Sequence, residues 1–240
     1  MKIFVVNPNS TVSMTETIRL SAVRAAAPGT QITVATVAGA PASIEGYADE
    51  ARAVPGTLDA IRHAEAQGAQ ATVIACFDDP GLSAAREVAT GPVIGICQAG
   101  IQVAMTIAAR FSIVTTLPRS VPIIEDLVDA YGASRQCRSV RSVNLPVLAL
   151  EEDPETAFAR LRTEIRRAIN DDGAEAVVLG CAGMAEMCNA LQLETGVPVI
   201  DGVSAAVKLA EAMVGGGFVT AKTGSFAFPR DKSLMVATPS

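Results

Sequence analysis

The chain has 240 residues, half of them hydrophobic and 18% charged, with a formal net charge of −6. A chain of this size buries roughly three quarters of its unfolded surface, as one large domain or as two small lobes. Its basic residues are scattered rather than striped, which argues against nucleic acid as a partner, and no stretch reaches the ~18 uninterrupted apolar residues of a membrane helix.

The opening MKIFVVNPNST passes from one Lys into a short apolar run and then a polar turn. It lacks the long apolar region and small-residue cleavage site of a secretion signal, so a cytoplasmic location is expected. Short β-branched runs then alternate with longer amphipathic segments. In chain order, residues 2–7 read as a strand, 12–27 as a helix, 31–37 as a strand, 50–68 as a helix, 71–76 as a strand, 80–90 as a helix, 92–97 as a strand and 98–110 as a helix. The same alternation follows with strands at 111–116, 137–144, 176–181 and 198–201 and helices at 118–132, 154–171, 183–195 and 203–214. Such alternation is the pattern of a parallel α/β fold, and the nearly all-apolar strands are those expected when helices cover both faces of a sheet. From Gly215 the chain reads as a loop with one further strand and a mobile end.

An internal repeat divides the pattern. ATVIAC at 71–76 recurs as AVVLGC at 176–181, TGPVIGICQAG at 90–100 as TGVPVIDGVSA at 195–205, and KIFVVNPNST at 2–11 as FSIVTTLPRS at 111–120. Three matches in one order and at similar spacing point to a duplicated unit. The expected architecture is two similar lobes related by a pseudo-twofold axis, each a parallel four-stranded sheet flanked by helices. The first lobe is expected to comprise 1–97 with about 207–240 and the second 98–206, with a hinge near residues 95–100.

Five cysteines and one histidine narrow the chemistry. Without CxxC spacing, neither a disulfide framework nor a structural zinc site is expected. With His63 alone, HExxH metal sites are ruled out, and a Ser-His-Asp or Cys-His arrangement has little scope. Acid/base work falls to Cys, Asp, Glu, Lys or Tyr. In parallel α/β sheets, ligands bind beyond the carboxyl ends of the strands. Cys76 and Cys181 each end a buried strand at repeat-equivalent positions, so facing lobes would aim them at one cleft from opposite sides. The amides and dipole of a following helix would favour their thiolates. The alternative for either one is a small buried hydrophobe.

Asn7, Ser10 and Thr11 lie in the turn after the first strand. Ser10 or Thr11 could cap the next helix, or the turn could hold a carboxylate or imide oxygen; Thr115 and Thr116 occupy the corresponding turn in the second half. Asp78 and Asp79 would raise the thiol of Cys76. One of them could cap the helix that Pro80 opens, or either could accept hydrogen bonds from ring N–H groups of a substrate. Cys97, Cys137 and Cys188 read as structural, and His63 as a solvated surface residue.

The segments NPNST at 7–11, ACFDDPGL at 75–82 and GCAGM at 180–184 resemble the aspartate/glutamate racemase superfamily, in particular its hydantoin and allantoin racemase branch. The resemblance runs over almost the whole chain. It implies an active site between two α/β lobes, no metal or organic cofactor, and a small-molecule substrate. It also implies that Cys76 and Cys181 exchange a proton with the stereocentre from opposite faces. Substrate binding is carried over to Asn7, Ser10, Thr11, Thr115 and Thr116, and to the backbone at Phe77, Asp78, Asp79, Ala182 and Gly183. Racemisation of 5-substituted hydantoins is the expected activity. Allantoin racemase, an amino-acid racemase of the Asp/Glu type and maleate isomerase are the alternatives within the superfamily, and a non-catalytic small-molecule-binding module is the alternative outside it. A homo-oligomer is expected.

Overall fold

The computed structural model describes residues 1–230. Strands β1 (Lys2–Asn7), β2 (Gln31–Thr36), β3 (Ala71–Ile74) and β4 (Val93–Gly95) form one sheet in the order β2-β1-β3-β4. Strands β5 (Phe111–Thr115), β6 (Cys137–Ser142), β7 (Ala176–Leu179) and β8 (Val199–Asp201) form a second in the order β6-β5-β7-β8. Every pairing is parallel, and the two sheets repeat one topology and register: Ile3 pairs with Ala71 as Phe111 pairs with Ala176, and Ile74 with Gly95 as Leu179 with Asp201. The expected fold class, two similar parallel four-stranded α/β units, is therefore the observed one.

Composition explains the strand order. Central β3 and β7, ATVI and AVVL, are buried at every position, as strands covered on both faces must be. The outer strands β2 and β6, QITVAT and CRSVRS, carry polar residues and stay partly exposed, which suits sheet edges.

The helices are α1 (Val12–Ala25), α2 (Tyr47–Ala66), α3 (Leu82–Val88), α4 (Ile96–Ile107), α5 (Val121–Ala130), α6 (Ala149–Glu152), α7 (Pro154–Asp172), α8 (Cys188–Thr195) and α9 (Gly202–Gly215), with 3-10 turns at Pro118–Ser120, Ala182–Met187 and Gly224–Phe226. Helix α7 shows how local sequence sets its limits. Asp153 accepts the Thr156 N–H at its start, Pro154 fills the first turn, and Gly173 ends it at φ 70°. Its buried residues Ala157, Leu161, Ile165 and Ala168 recur every third or fourth position, one stripe of a 3.6-residue helix.

Between the sheets, α4 packs along α9; α4 also meets β7, and α9 meets β3 and β4. One continuous core links the inner faces of both sheets through Ile3, Phe77, Ile101, Phe111, Val178 and Val203. Gly100 makes the approach close, because a Cβ there would stand 2.8 Å from Val178 Cγ1. The stretch expected as a hinge is thus the end of β4 and the buried first turn of α4. Packing fixes it.

Other expectations shift locally. The helix expected at 80–90 starts at Leu82, because Asp79 and Gly81 are both left-handed, at φ 44° and 69°. Those expected at 118–132 and 183–195 each begin with a 3-10 turn. After β8 no strand occurs among the described residues; the tail is held instead by Thr220 N–H on the Thr90 carbonyl and Lys222 Nζ on those of Arg86 and Glu87. The end of the tail, 231–240, part of the expected first lobe and the part expected to be mobile, lies outside the described residues. Among those residues no helix is long and apolar enough to cross a membrane.

Candidate active site

The carboxyl ends of β1, β3, β5 and β7 open onto one narrow cavity of about 30 Å³, room for about one water and far below the ~300–1,000 Å³ typical of small-molecule sites. Cys76 and Cys181 both line it. Each follows its central strand after a single small residue, Ala75 or Gly180, and Gly180 is required: a Cβ there would fall 2.8 Å from Thr115 Cβ and 3.0 Å from Thr115 Cα. From the first sheet come Asn9, Cys76, Phe77 and Asp78, and from the second Thr115, Thr116, Ser120, Cys181 and Ala182. Met14, Ile44 and Val147 supply apolar walls.

Loops from the two halves close over this space. The Val147 N–H donates to Glu45 Oε1 at 3.0 Å, and Ser13 Oγ to Glu151 Oε2 at 2.6 Å. The loop that carries Ile44 is tied to the β1–α1 turn, where Ser10 N–H donates to the Pro41 carbonyl and Thr11 Oγ1 to that of Ala42.

The thiols differ from expectation in their electrostatics. No α-helix starts directly after either cysteine: a turn follows Cys76, and a 3-10 turn follows Cys181. Little helix dipole is therefore available. Burial pushes the Cys76 thiol well above its ordinary value, the Asp78 charge pushes it further, the Asp78 amide opposes, and the Cys181 and Asp79 charges add to the rise. Cys181 is pushed up to about 12, first by burial, against the Gly183 amide. In the free protein both groups are neutral thiols, each facing an amide two residues ahead. Asp78 is raised to about 7 by burial, then by the charges of Glu50 and Asp79.

The structure separates the remaining site candidates. Phe77, Asp78, Thr115, Thr116 and Ala182 line the cavity; Asn7, Ser10, Thr11, Asp79 and Gly183 do not. Asn7 is fully buried, and its Nδ2 donates to Asn9 Oδ1, the Thr11 carbonyl and Thr15 Oγ1, so it builds the turn. Ser10 and Thr11 are spent on the covering loop, and neither side chain caps α1. Gly183 acts only through its amide beside Cys181. Asp79 caps no helix of its own turn; its carboxylate accepts from the Cys97 and Gln98 N–H groups and from the Tyr131 hydroxyl.

Sequence reasoning passed over Asn9, Met14, Ile44, Ser120, Val147 and Glu50. Asn9 stands inside the NPNST turn, the one signal that could have found it. Glu50 sits in the first turn of α2, where an acidic residue ordinarily complements the helix dipole. Its Oε1 is buried without a hydrogen-bond partner among the described residues. Cys97 lies in the core of α4, Cys137 starts β6 and Cys188 starts α8 with its thiol on the Val199 carbonyl. His63 is on the outer face of α2, paired with Gln67.

Two like parallel α/β sheets whose strand ends meet at one cavity, lined by a cysteine from each, define a duplicated α/β protein. The family model described as Asp/Glu/Hydantoin racemase matches residues 3–210. The chain belongs to this family of isomerases. It is 62% identical to a hydantoin racemase of Rhizobium meliloti, with 97% of each chain covered, and 47% identical to one of Pseudomonas sp. (strain NS671), covering 99% of this chain and 95% of that one. The solved structure of an allantoin racemase from Klebsiella pneumoniae superposes with a TM-score of 0.95 at 49% identity, over 98% of this chain and 96% of that one.

Proposed function

We propose that the protein racemises 5-substituted hydantoins by proton transfer at C5 between Cys76 and Cys181. The observation that carries the reading is the placement of the two thiols at repeat-equivalent strand ends on one closed cavity. One cysteine, as thiolate, removes the C5 proton next to the ring carbonyl. The other, as thiol, delivers a proton to the opposite face, and the two leave with their protonation states exchanged. The ring delocalises the charge, and donors around the cavity (the Thr116 and Ser120 hydroxyls and the amides after each cysteine) meet the developing enolate oxygen, while the Thr115 hydroxyl is held on the Gly180 carbonyl. A thiol held near 12 is scarce as thiolate but strongly basic once ionised, which suits a weakly acidic C–H.

Allantoin is the second reading, supported by the similarity to the Klebsiella structure. The apolar walls of Met14, Ile44 and Val147 favour an alkyl or aryl 5-substituent over a ureido group. Five free cysteines suit a reducing compartment such as the cytoplasm. Exposed Leu193, Phe218 and Val219 suit a homo-oligomer, and the packing of α9 on β3 and β4 suits grouping 207 onwards with the first lobe.

The test is loss of optical rotation by a single-enantiomer 5-alkylhydantoin in D2O, with wild type, Cys76→Ala and Cys181→Ala. Racemisation with deuterium incorporation by wild type alone supports the two-thiol reaction. Turnover of allantoin alone moves the assignment to the second reading. Wild-type rates in either variant refute the mechanism whatever the substrate.

A further inference from the structure

The two halves cap equivalent helices in different ways. Helix α9 is capped locally: Asp201, its N-cap, accepts Val203 N–H on Oδ1 and Ser204 N–H on Oδ2, both at 3.0 Å. The equivalent helix α4 has Gly95 at that position, paired with Ile74 as Asp201 is with Leu179. The backbone there would accept an aspartate, since Gly95 has φ −86° and ψ 145° and Asp201 has φ −88° and ψ 122°. The carboxylate comes from Asp79 instead, with Oδ1 on Cys97 N–H at 3.1 Å and Oδ2 on Gln98 N–H at 2.9 Å, the same two positions of the first turn. It fills the place of the missing side chain: a Cβ on Gly95 would lie 2.2 Å from the Asp79 carboxyl carbon.

Capping alone does not explain this arrangement, because a local Asp would do it at no conformational cost. Asp79 instead takes a left-handed φ of 44°, a conformation uncommon outside glycine although aspartate is among the residues that tolerate it. Its own N–H donates to the Cys76 carbonyl at 3.1 Å. Its Oδ2 also accepts the Tyr131 hydroxyl, from the end of α5 in the second half, at 2.8 Å. The carboxylate thus ties the Cys76 turn to the rigid start of α4 and to the opposite half. On the Cys181 side, the equivalent cap is made by a residue of β8 and not by the thiol's own turn.

We propose that Asp79 is a positioning residue for Cys76, its displaced helix cap holding the thiol-bearing turn in register with the opposite half. The proposal rests on the reading of Cys76 as an acid/base group. A misplacement of about 1 Å at such a group can cost ~100-fold in rate.

Comparing Asp79→Ala with the double variant Asp79→Ala/Gly95→Asp, which restores a local cap of the Asp201 kind, separates capping from positioning. Four quantities are read: Tm, kcat and KM on a 5-alkylhydantoin, and the rate of iodoacetamide alkylation at Cys76, mapped by mass spectrometry. Asp79→Ala is expected to lower both Tm and kcat. The double variant should regain most of the lost Tm while kcat stays about tenfold or more below wild type, KM changes little, and Cys76 alkylation departs from the wild-type rate. Recovery of wild-type kcat and alkylation rate in the double variant would reduce Asp79 to a cap and overturn the proposal. Failure of the double variant to regain Tm would overturn the equivalence of the two caps on which it stands. If wild type does not racemise the hydantoin, the functional reading fails by itself, and the alkylation rates still decide whether Asp79 positions the thiol.

Discussion

Replacing Asp78 by Asn removes one buried carboxyl and leaves a side chain of nearly the same shape. Asp78 is 8% exposed and raised to about 7 by burial, then by Glu50 and Asp79. From an ordinary ~3.9, at ~1.4 kcal/mol per tenfold, the gap corresponds to about 4 kcal/mol at most, and relaxation and water entry bring the expected value to about 2–4 kcal/mol. Its sign follows from the raised value. Below about pH 4, folded and unfolded chains are both protonated and the group carries no penalty. Between about 4 and 7 the unfolded chain releases its proton while the folded chain keeps it, so stability falls; above 7 the loss is constant. Urea unfolding of wild type and Asp78→Asn from pH 4.5 to 8.5 isolates the term as a difference. The variant is expected to gain about 2–4 kcal/mol on wild type across that range, or roughly 4–16 °C in Tm. The same charge raises Cys76 and Cys181, so iodoacetamide reaction of both thiols should set in at lower pH in the variant. A stability difference that stays flat with pH would refute the reasoning, because Asp78 would then be an ordinary solvated carboxylate.

Three further outcomes follow from the site. Because both thiols are raised, kcat/KM for racemisation is expected to climb with pH from 7 to 10 without a plateau near 8, and a bell-shaped optimum at neutral pH would contradict the neutral-thiol resting state. Glu45→Ala removes the acceptor of the Val147 N–H, a charged hydrogen bond worth about 1.5–3 kcal/mol; KM should rise roughly tenfold or more, and an unchanged KM would show that the loops do not hold the substrate. Gly180→Ala places a Cβ 2.8 Å from that of Thr115 and should cost about 1–3 kcal/mol in urea unfolding, with kcat falling as Cys181 is displaced.

The sheets and the thiol pair were legible because both depend on local pattern. Runs such as ATVI and AVVL permit little but a buried strand, and their recurrence with a cysteine close behind each places both thiols at one sheet edge. What stayed unread depended on space. Ile44 and Val147 reach the cavity from loops whose course is set by Glu45 and by the turn at Asn9. The expectation that Asn7, Ser10 and Thr11 bind substrate followed composition: polar residues after a strand look alike whether they face a ligand or, as here, hold the turn and its covering loop through the Asn7 amide, the Ser10 N–H and the Thr11 hydroxyl. Asp79 read as an ordinary cap or a ligand group because its partners at Cys97, Gln98 and Tyr131 are distant in sequence.

Duplication supplies what racemisation needs, two like groups approaching one carbon from opposite faces, and it also makes the departures from symmetry informative. Cys76 is followed by Asp78 and Asp79, whereas Cys181 is followed by Gly183 and Met184. The carboxylates therefore load the first thiol directly, and the second only across the cavity. With equal amounts of the two enantiomers at equilibrium, kcat/KM is the same in both directions, so this asymmetry cannot favour one product. It can set which step is slower and which thiol ionises first. The first half thus couples its thiol turn to helix α4 and to Tyr131, while the second half leaves the cap of α9 to Asp201 and its own thiol turn independent of it.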